Sequence, residues 1–320
     1  MMNRFNKYIV AGFVLCFVAG YEIQAQNDIL LTQQWLSRVN LNPAATGNSD
    51  NIDIFVLARR QWAGFDNAPQ TGVLNVHSYF HRIQSGVGLT ATYDKIGVGT
   101  SMINAKLAYA YHVNLGEKWL LSLGLSAGII QQQFKPDDHY ILPDQDDGYL
   151  LQKASELNPD VDFGIEINSQ RFQFGASVTH LLKIANFSFM EGSQIVQQYH
   201  AYASYKQPLG EKFDLMFGLR GTNFDSSPFV DVNLTGILLK NYWLGVAYRP
   251  QQLSDPLNPQ TVAAMVGVQI AFVRLGYSFD YSLGNIRNIA RNSHEIMLSF
   301  KIKQPKKEIR TKSPRFIEDL

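Results

Sequence analysis

Residues 101–134, SMINAKLAYAYHVNLGEKWLLSLGLSAGIIQQQF, alternate strictly in two runs separated by a tight turn. In the first, Ile103, Ala105, Leu107, Tyr109, Tyr111 and Val113 share one face, and Asn104, Lys106, Ala108, Ala110 and His112 share the other. In the second, Trp119, Leu121, Leu123, Leu125, Ala127 and Ile129 oppose Ser122, Gly124, Ser126 and Gly128. A period of two is the signature of a β-strand. Asn114-Leu115-Gly116-Glu117-Lys118 joins the runs into a hairpin, and each run exceeds the roughly 9 to 11 residues that a tilted strand needs to cross a bilayer.

The amino terminus supplies the context. Arg4 and Lys7 precede an apolar run from Tyr8 to Gly20, and Ala25 closes a short polar region, the three-part layout of an export signal with cleavage expected after Ala25. Cys16 is the only cysteine and lies in that apolar run. The chain after cleavage would then hold no thiol, which excludes disulfides, cysteine nucleophiles and thiolate metal sites. Charged residues make up 17% of the chain and the net charge is +1, so there is no electrostatic case for nucleic-acid binding. No later apolar stretch reaches the ~18 residues of a membrane helix. Crossing a bilayer would therefore require strands in a closed barrel, where every backbone group is paired.

About fourteen candidate strands follow, joined alternately by short turns and longer connections. Short turns are expected at 80–85, 114–118, 168–171, 208–212, 240–241 and 272–274. Longer loops are expected at 61–70, 94–101, 135–160, 181–196, 222–228, 250–260 and 283–292. The pattern predicts an all-β, antiparallel up-and-down transmembrane β-barrel over residues 51–303, with polar faces inward and both chain ends in the periplasm. Residues 1–25 are the signal, 26–50 a periplasmic lead-in or lumen plug, and 304–320 a basic periplasmic tail. Trp62, Trp119 and Trp243 are expected to mark the interfacial girdles. Inward positions group Arg220, Asp231, Arg249, Asp280 and Glu295 into a charged lumen network, because unpaired charge in a narrow interior is costly.

Several motifs have a plainer reading than chemistry. Gly124-Leu125-Ser126-Ala127-Gly128 fits G-x-S-x-G, yet the alternation runs straight through it, whereas a nucleophile elbow needs a sharp strand-to-helix turn. Gly86-Val87-Gly88-Leu89-Thr90-Ala91 matches a loose dinucleotide fingerprint with no helix after it, so small lumen-facing residues explain it better. His294-Glu295 lacks the second histidine of a zinc-protease helix, since Leu298 stands there. The seven histidines have no metal-ligand spacing, and the acidic stretch from Asp137 to Asp160 lacks the EF-hand pattern. No catalytic residue, metal site or cofactor is expected.

A family resemblance rests on ordered blocks spread over most of the chain. Leu41-Asn42-Pro43-Ala44-Ala45-Thr46-Gly47 resembles an N-P-A-x-x-G segment, and Arg59-Arg60-Gln61-Trp62-Ala63-Gly64-Phe65 with Ala68-Pro69 and Thr71 resembles an R-x-Q-W-x-G-F-x-x-A-P-x-T block. Tyr93-Asp94-Lys95-Ile96-Gly97 and Ser293-His294-Glu295-Ile296-Met297-Leu298-Ser299 add to them. The blocks are similar to those of the PorP/SprF family of the type IX secretion system of Bacteroidota. The resemblance implies an outer-membrane component that helps export or anchor particular surface adhesins through their C-terminal signal, with secretion-system proteins of the periplasm and outer membrane as partners. A general diffusion porin is the alternative, and an outer-membrane hydrolase a distant third. Trp62, Gly64, Phe65 and Pro69, with Asn42 and Pro43, are the expected partner-binding residues, since aromatic anchors recur at interface hot spots.

Overall fold

The computed structural model describes residues 31–64, 66–97, 99–135, 153–182, 195–224, 227–252, 255–283 and 292–304. Fourteen antiparallel strands form one closed barrel. They are β1 (Asn51–Arg60), β2 (Gln70–Phe80), β3 (Ser85–Ile96), β4 (Thr100–Leu115), β5 (Trp119–Phe134), β6 (Ala154–Asn168) and β7 (Phe172–Thr179). The second half comprises β8 (Gln198–Pro208), β9 (Phe213–Phe224), β10 (Ser227–Leu238), β11 (Tyr242–Gln252), β12 (Asp255–Ile270), β13 (Val273–Ser282) and β14 (Asn292–Lys303). Each strand pairs with the next in sequence, and β1 closes on β14 from Asn51↔Lys303 to Arg59↔Glu295 and Arg60↔His294. Closure removes every sheet edge, the condition for placing strands in lipid.

The alternation read in the sequence becomes an inside and an outside. On β4, Leu107 is 68% exposed while neighbouring Lys106, Ala108 and Ala110 are buried. The same holds on β13, where Leu275 and Tyr277 face out and Gly276, Ser278 and Asp280 face in. One end of the barrel carries the connections β2–β3, β4–β5 and so on, together with the start of β1 and the end of β14; we call it the turn end. At its outer rim Trp119 and Tyr205 both lie against Phe172, with ring centroids 6.4 Å and 4.8 Å away. That aromatic cluster suits the membrane interface.

Two expectations need correction. Residues 94–101, 222–228 and 250–260 are largely strand, so β3–β4, β9–β10 and β11–β12 have short links at the opposite, loop end. Pairing continues through Pro228↔Asn223 and Pro250↔Pro259, with register shifts around Pro250 that absorb the missing N–H. β4 and β5 have 16 residues each, about 54 Å of chain against an apolar band of about 25 Å. The start of β4 and the end of β5, paired with β3 and β6, therefore extend beyond the membrane at the loop end. There polar side chains pair, as in Gln131 Nε2 to Ser155 Oγ at 2.9 Å.

Trp243 is the second correction. It is 2% exposed and faces the lumen, leaving Tyr242 outside. The β10–β11 turn sets this register: Leu239 and Lys240 both have positive φ, so Leu238 pairs with Tyr242 and the next residue points inward.

Candidate functional site

The lumen is occupied by the chain itself. Leu31 to Asp50 lies inside the barrel as an irregular segment with two short 3-10 turns, Gln34–Leu36 and Pro43–Ala45. Asn42 starts the second turn: its Oδ1 accepts from Ala44 N at 2.9 Å, and Pro43 stands where a missing N–H costs nothing. A backbone buried without a ladder must find other partners, and this one takes them from inward side chains.

On one side the partners form a charged cluster. Arg249 donates from Nε to Asp231 at 2.6 Å, from Nη1 to Asp280 at 2.9 Å and from Nη2 to Thr32 Oγ1 at 2.7 Å. Arg59 joins Asp280 at 2.8 Å and Glu295 at 3.2 Å. Glu295 accepts the Thr32 and Gln33 backbone N–H groups at 3.0 and 2.8 Å. Arg220 lies 3.6 Å from Asp231, donates to Leu31 O at 3.3 Å and also bonds Gln34. Three arginines thus meet three carboxylates, all buried, and the charges cancel. Neutral pairing with filled hydrogen bonds is what makes buried ions tolerable.

A second cluster sits across the lumen. Glu166 on β6 pairs with Arg38 at 3.2 Å and bonds both Tyr202 and Asn48. Asn42 Nδ2 donates to Ile165 O and to Tyr202 Oη, each at 3.0 Å. Nearer the turn end, Thr46 O meets His112 Nε2 at 2.9 Å, and His112 Nδ1 reaches Ser122 Oγ at 2.8 Å.

The wall makes room for the segment with glycine. A Cβ on Gly86 would stand 2.1 Å from Thr46 O, one on Gly124 2.1 Å from Ala44 N, and one on Gly164 1.9 Å from Asn42 Oδ1. These distances are far inside van der Waals contact. Gly86 of the apparent nucleotide motif and Gly124 of the apparent nucleophile motif are seats for the 42–47 backbone, whereas Gly128 packs on Ala105 and Lys106 of the neighbouring strand.

Part of the wall is apolar as well. Phe55, Leu57, Met216, Ile237, Trp243 and Met297 face inward and are buried against Leu31, Trp35 and Leu36. Trp35 packs edge-on to Trp243, with centroids 6.3 Å apart, and its Nε1 reaches Met265 Sδ at 3.4 Å. Polar lumen faces are therefore only part of the interior, because the segment brings an apolar stripe that needs a dry surface.

All of the residues singled out from the sequence except Phe65 have a definite place. Arg220, Asp231, Arg249, Asp280 and Glu295 stand together in the first cluster, with Arg59 and Thr32 as members that sequence reading missed. Arg59 falls on the same strand face as Phe55 and Leu57, so its alternation was the available signal. Asn42 and Pro43, assigned to partner contact, are buried within the barrel and bonded to its own wall. Trp62 and Pro69 are half-buried in the β1–β2 connection, Gly64 is exposed, and Phe65 lies outside the described residues. Trp62 N donates to Ser293 Oγ at 3.3 Å and Ala63 N to Asn292 O at 2.7 Å, tying this connection to β14. The export signal, the acidic stretch 136–152 and the tail beyond Gln304 also lie outside the described residues.

Among the described residues one group has metal-ligand types close together: Asp160, Asp162 and His180, with ligand atoms within 4.8 Å of one another. Lys106 Nζ already fills the gap between the carboxylates, 2.8 Å from Asp160 and 2.7 Å from Asp162. Ser126 Oγ donates to Asp162 at 2.7 Å, so the hydroxyl of the G-x-S-x-G run is held by an acid and not by a histidine. The arrangement is a hydrogen-bonded polar core in which Lys106 stands where a cation would.

The fold is shared with solved outer-membrane channels at low identity. A structure described as the CymD monoaromatic hydrocarbon channel is 12% identical, with a TM-score of 0.58, and the match covers 88% of this chain and 95% of that one. A TodX deltaS2S3 mutant, described as a monoaromatic hydrocarbon channel, is 9% identical with a TM-score of 0.52, covering 84% and 94%. No curated protein sequence matches. The family model described as type IX secretion system membrane protein PorP/SprF matches residues 23–300. With a closed outer-membrane barrel and a match over most of its length, the chain belongs to the PorP/SprF family of type IX secretion system membrane proteins.

Proposed function

We propose that this protein is a plugged outer-membrane barrel that holds or helps export specific surface adhesins, and that it does not conduct solutes. The observation that carries this reading is the filled lumen: the segment from Leu31 to Asp50 is bonded to wall residues around the barrel and covers an apolar patch that water in an open pore would meet. An open diffusion channel has a hydrated interior. In this reading the loop end faces outward, and the start of β1 and end of β14 face the periplasm. Recognition of the exported partner or its C-terminal signal falls on the β1–β2 connection, with Trp62, Gly64, Phe65 and Pro69. Secretion-system proteins engage the turn end and the tail 304–320.

A deletion strain tests the reading. Loss of a surface adhesin with unchanged uptake of small solutes is the expected result. Loss of solute uptake with normal adhesin display would establish the porin alternative instead. In the same strain, a Trp62→Ala plus Phe65→Ala variant should assemble yet release adhesin into the medium.

A further inference from the structure

The outer wall changes character where β14, β1, β2 and β3 run side by side. Toward lipid β1 presents Ile52, Ile54, Val56 and Ala58 and then ends on Arg60. Register sets Arg60 opposite His294 on β14 and Gln70 on β2, and Gln70 opposite Lys95 on β3. At one level, four adjacent strands thus turn from apolar to polar and cationic. That level is the rim of the apolar band. β2 runs 11 residues from Gln70 to Phe80, which is exposed at the turn end, and covers about 34 Å along the strand. At a tilt of about 40° this is roughly 26 Å of height, close to the ~25 Å of the band.

Among the described residues neither Arg60 nor Lys95 has a hydrogen bond or ion pair. Asp94, next to Lys95 in sequence, turns inward and accepts from Thr71 Oγ1 at 2.5 Å, and Asp66 in the β1–β2 connection is the exposed acid of this corner. Two strand spacings put the Arg60 and Lys95 backbones about 9.6 Å apart, a gap that two long side chains can close around one phosphate. Directly below, the wall is recessed. Ala58 pairs with Gly72, where an added Cβ would meet nothing within 4 Å. Tyr93, 43% exposed, flanks this hollow on β3, and Ile296, 61% exposed, flanks it on β14. We infer that the corner seats an anionic, phosphate-bearing lipid of the leaflet at the loop end, with Arg60 and Lys95 on the phosphate, Gln70 on the neighbouring ester oxygens and an acyl chain over Ala58 and Gly72. A guanidinium fork matches phosphate oxygens in pairs, and long basic side chains lay their stems on apolar surface while the charge reaches headgroup depth. A soluble anion would leave the hollow bare, and a zwitterionic lipid brings its own cation.

The test uses the full chain extracted in dodecyl maltoside, with heat-modifiable migration confirming a folded barrel. It is offered equal amounts of phosphatidylglycerol and phosphatidylcholine with identical oleoyl chains, and native mass spectrometry counts the lipid retained. Phosphatidylglycerol should be kept about tenfold over phosphatidylcholine, and Arg60→Gln plus Lys95→Gln should remove that preference. Lys118→Gln plus Arg171→Gln, which neutralises two exposed cations at the turn end, should leave it intact. Equal retention of the two lipids by the unaltered chain overturns the inference, as does a preference that survives Arg60→Gln plus Lys95→Gln. Equal loss in both double variants would reduce the effect to net charge and overturn the site. Should the first double variant not assemble, Arg60→Gln and Lys95→Gln singly should each lower the preference at least twofold, and no change in either overturns the inference.

Discussion

Arg249 and Thr32 are joined by a 2.7 Å hydrogen bond from the guanidinium Nη2 to the hydroxyl oxygen, and that hydroxyl donates onward to Asp280 at 2.7 Å. One side chain of the lumen segment thus accepts from a buried cation and donates to a buried anion of the barrel wall. The bond pair couples the segment to the strands chemically, beyond simple filling of space.

Thr32→Val should break that coupling at nearly constant volume. It leaves Asp280 and Arg249 each one partner short in a buried site, at a cost of about 1–3 kcal/mol. A lowered urea midpoint for loss of heat-modifiable migration is the expected outcome, and Thr32→Ser should restore most of it.

The ion cluster itself should behave as a unit. Arg249→Gln leaves Asp231 with Arg220 alone and Asp280 with Arg59 alone, whereas combining it with Asp280→Asn removes the surplus negative charge. A double-mutant cycle on unfolding should give a coupling of about 1–3 kcal/mol. Additive effects would mean separate hydrated side chains.

Glycine seats give a steric prediction. Gly86→Ala forces a Cβ against Thr46 O, while Gly72→Ala meets nothing within 4 Å. The first should lower the thermal midpoint of the barrel by several degrees and the second should leave it unchanged, read by gel migration across a temperature series.

On the outside, Leu123→Arg places a charge on the lipid face within the apolar band, four residues along β5 from Trp119, and should cost about 2–4 kcal/mol, whereas Gln133→Arg near the loop end of the same strand should cost about 0–1 kcal/mol. The yield of assembled barrel reads the difference. Ser122, the neighbouring inward residue, is no tolerant control, because it is fully buried against His112.

Strand number and facing were legible in the sequence because a period of two, sustained over ten or more residues, has one structural solution when one face is apolar. The ends of strands were less so. Pro228, Pro250 and Pro259 stand in segments expected as loops, yet the ladder accommodates them at register shifts and near strand ends. The charged wall positions were readable one strand at a time, since Arg220, Asp231, Arg249 and Asp280 sit between apolar neighbours and Glu295 alternates with Ile296 and Leu298. Which acid each arginine meets depends on register across the barrel, and the part played by Thr32, Gln33 and Asn42 depends on the segment returning into the lumen. No local periodicity reports that return. The small residues Gly86, Gly124 and Gly164 carried its trace, because contact with another backbone leaves glycine as the one side chain that fits.

The central claim is that the chain seals its own barrel, and single-channel recording of purified, heat-modifiable protein in planar bilayers tests it most directly. The account predicts no steady conductance from the intact chain, and a stable open level from a folded variant lacking residues 31–49. Steady porin-like conductance from the intact chain would contradict it.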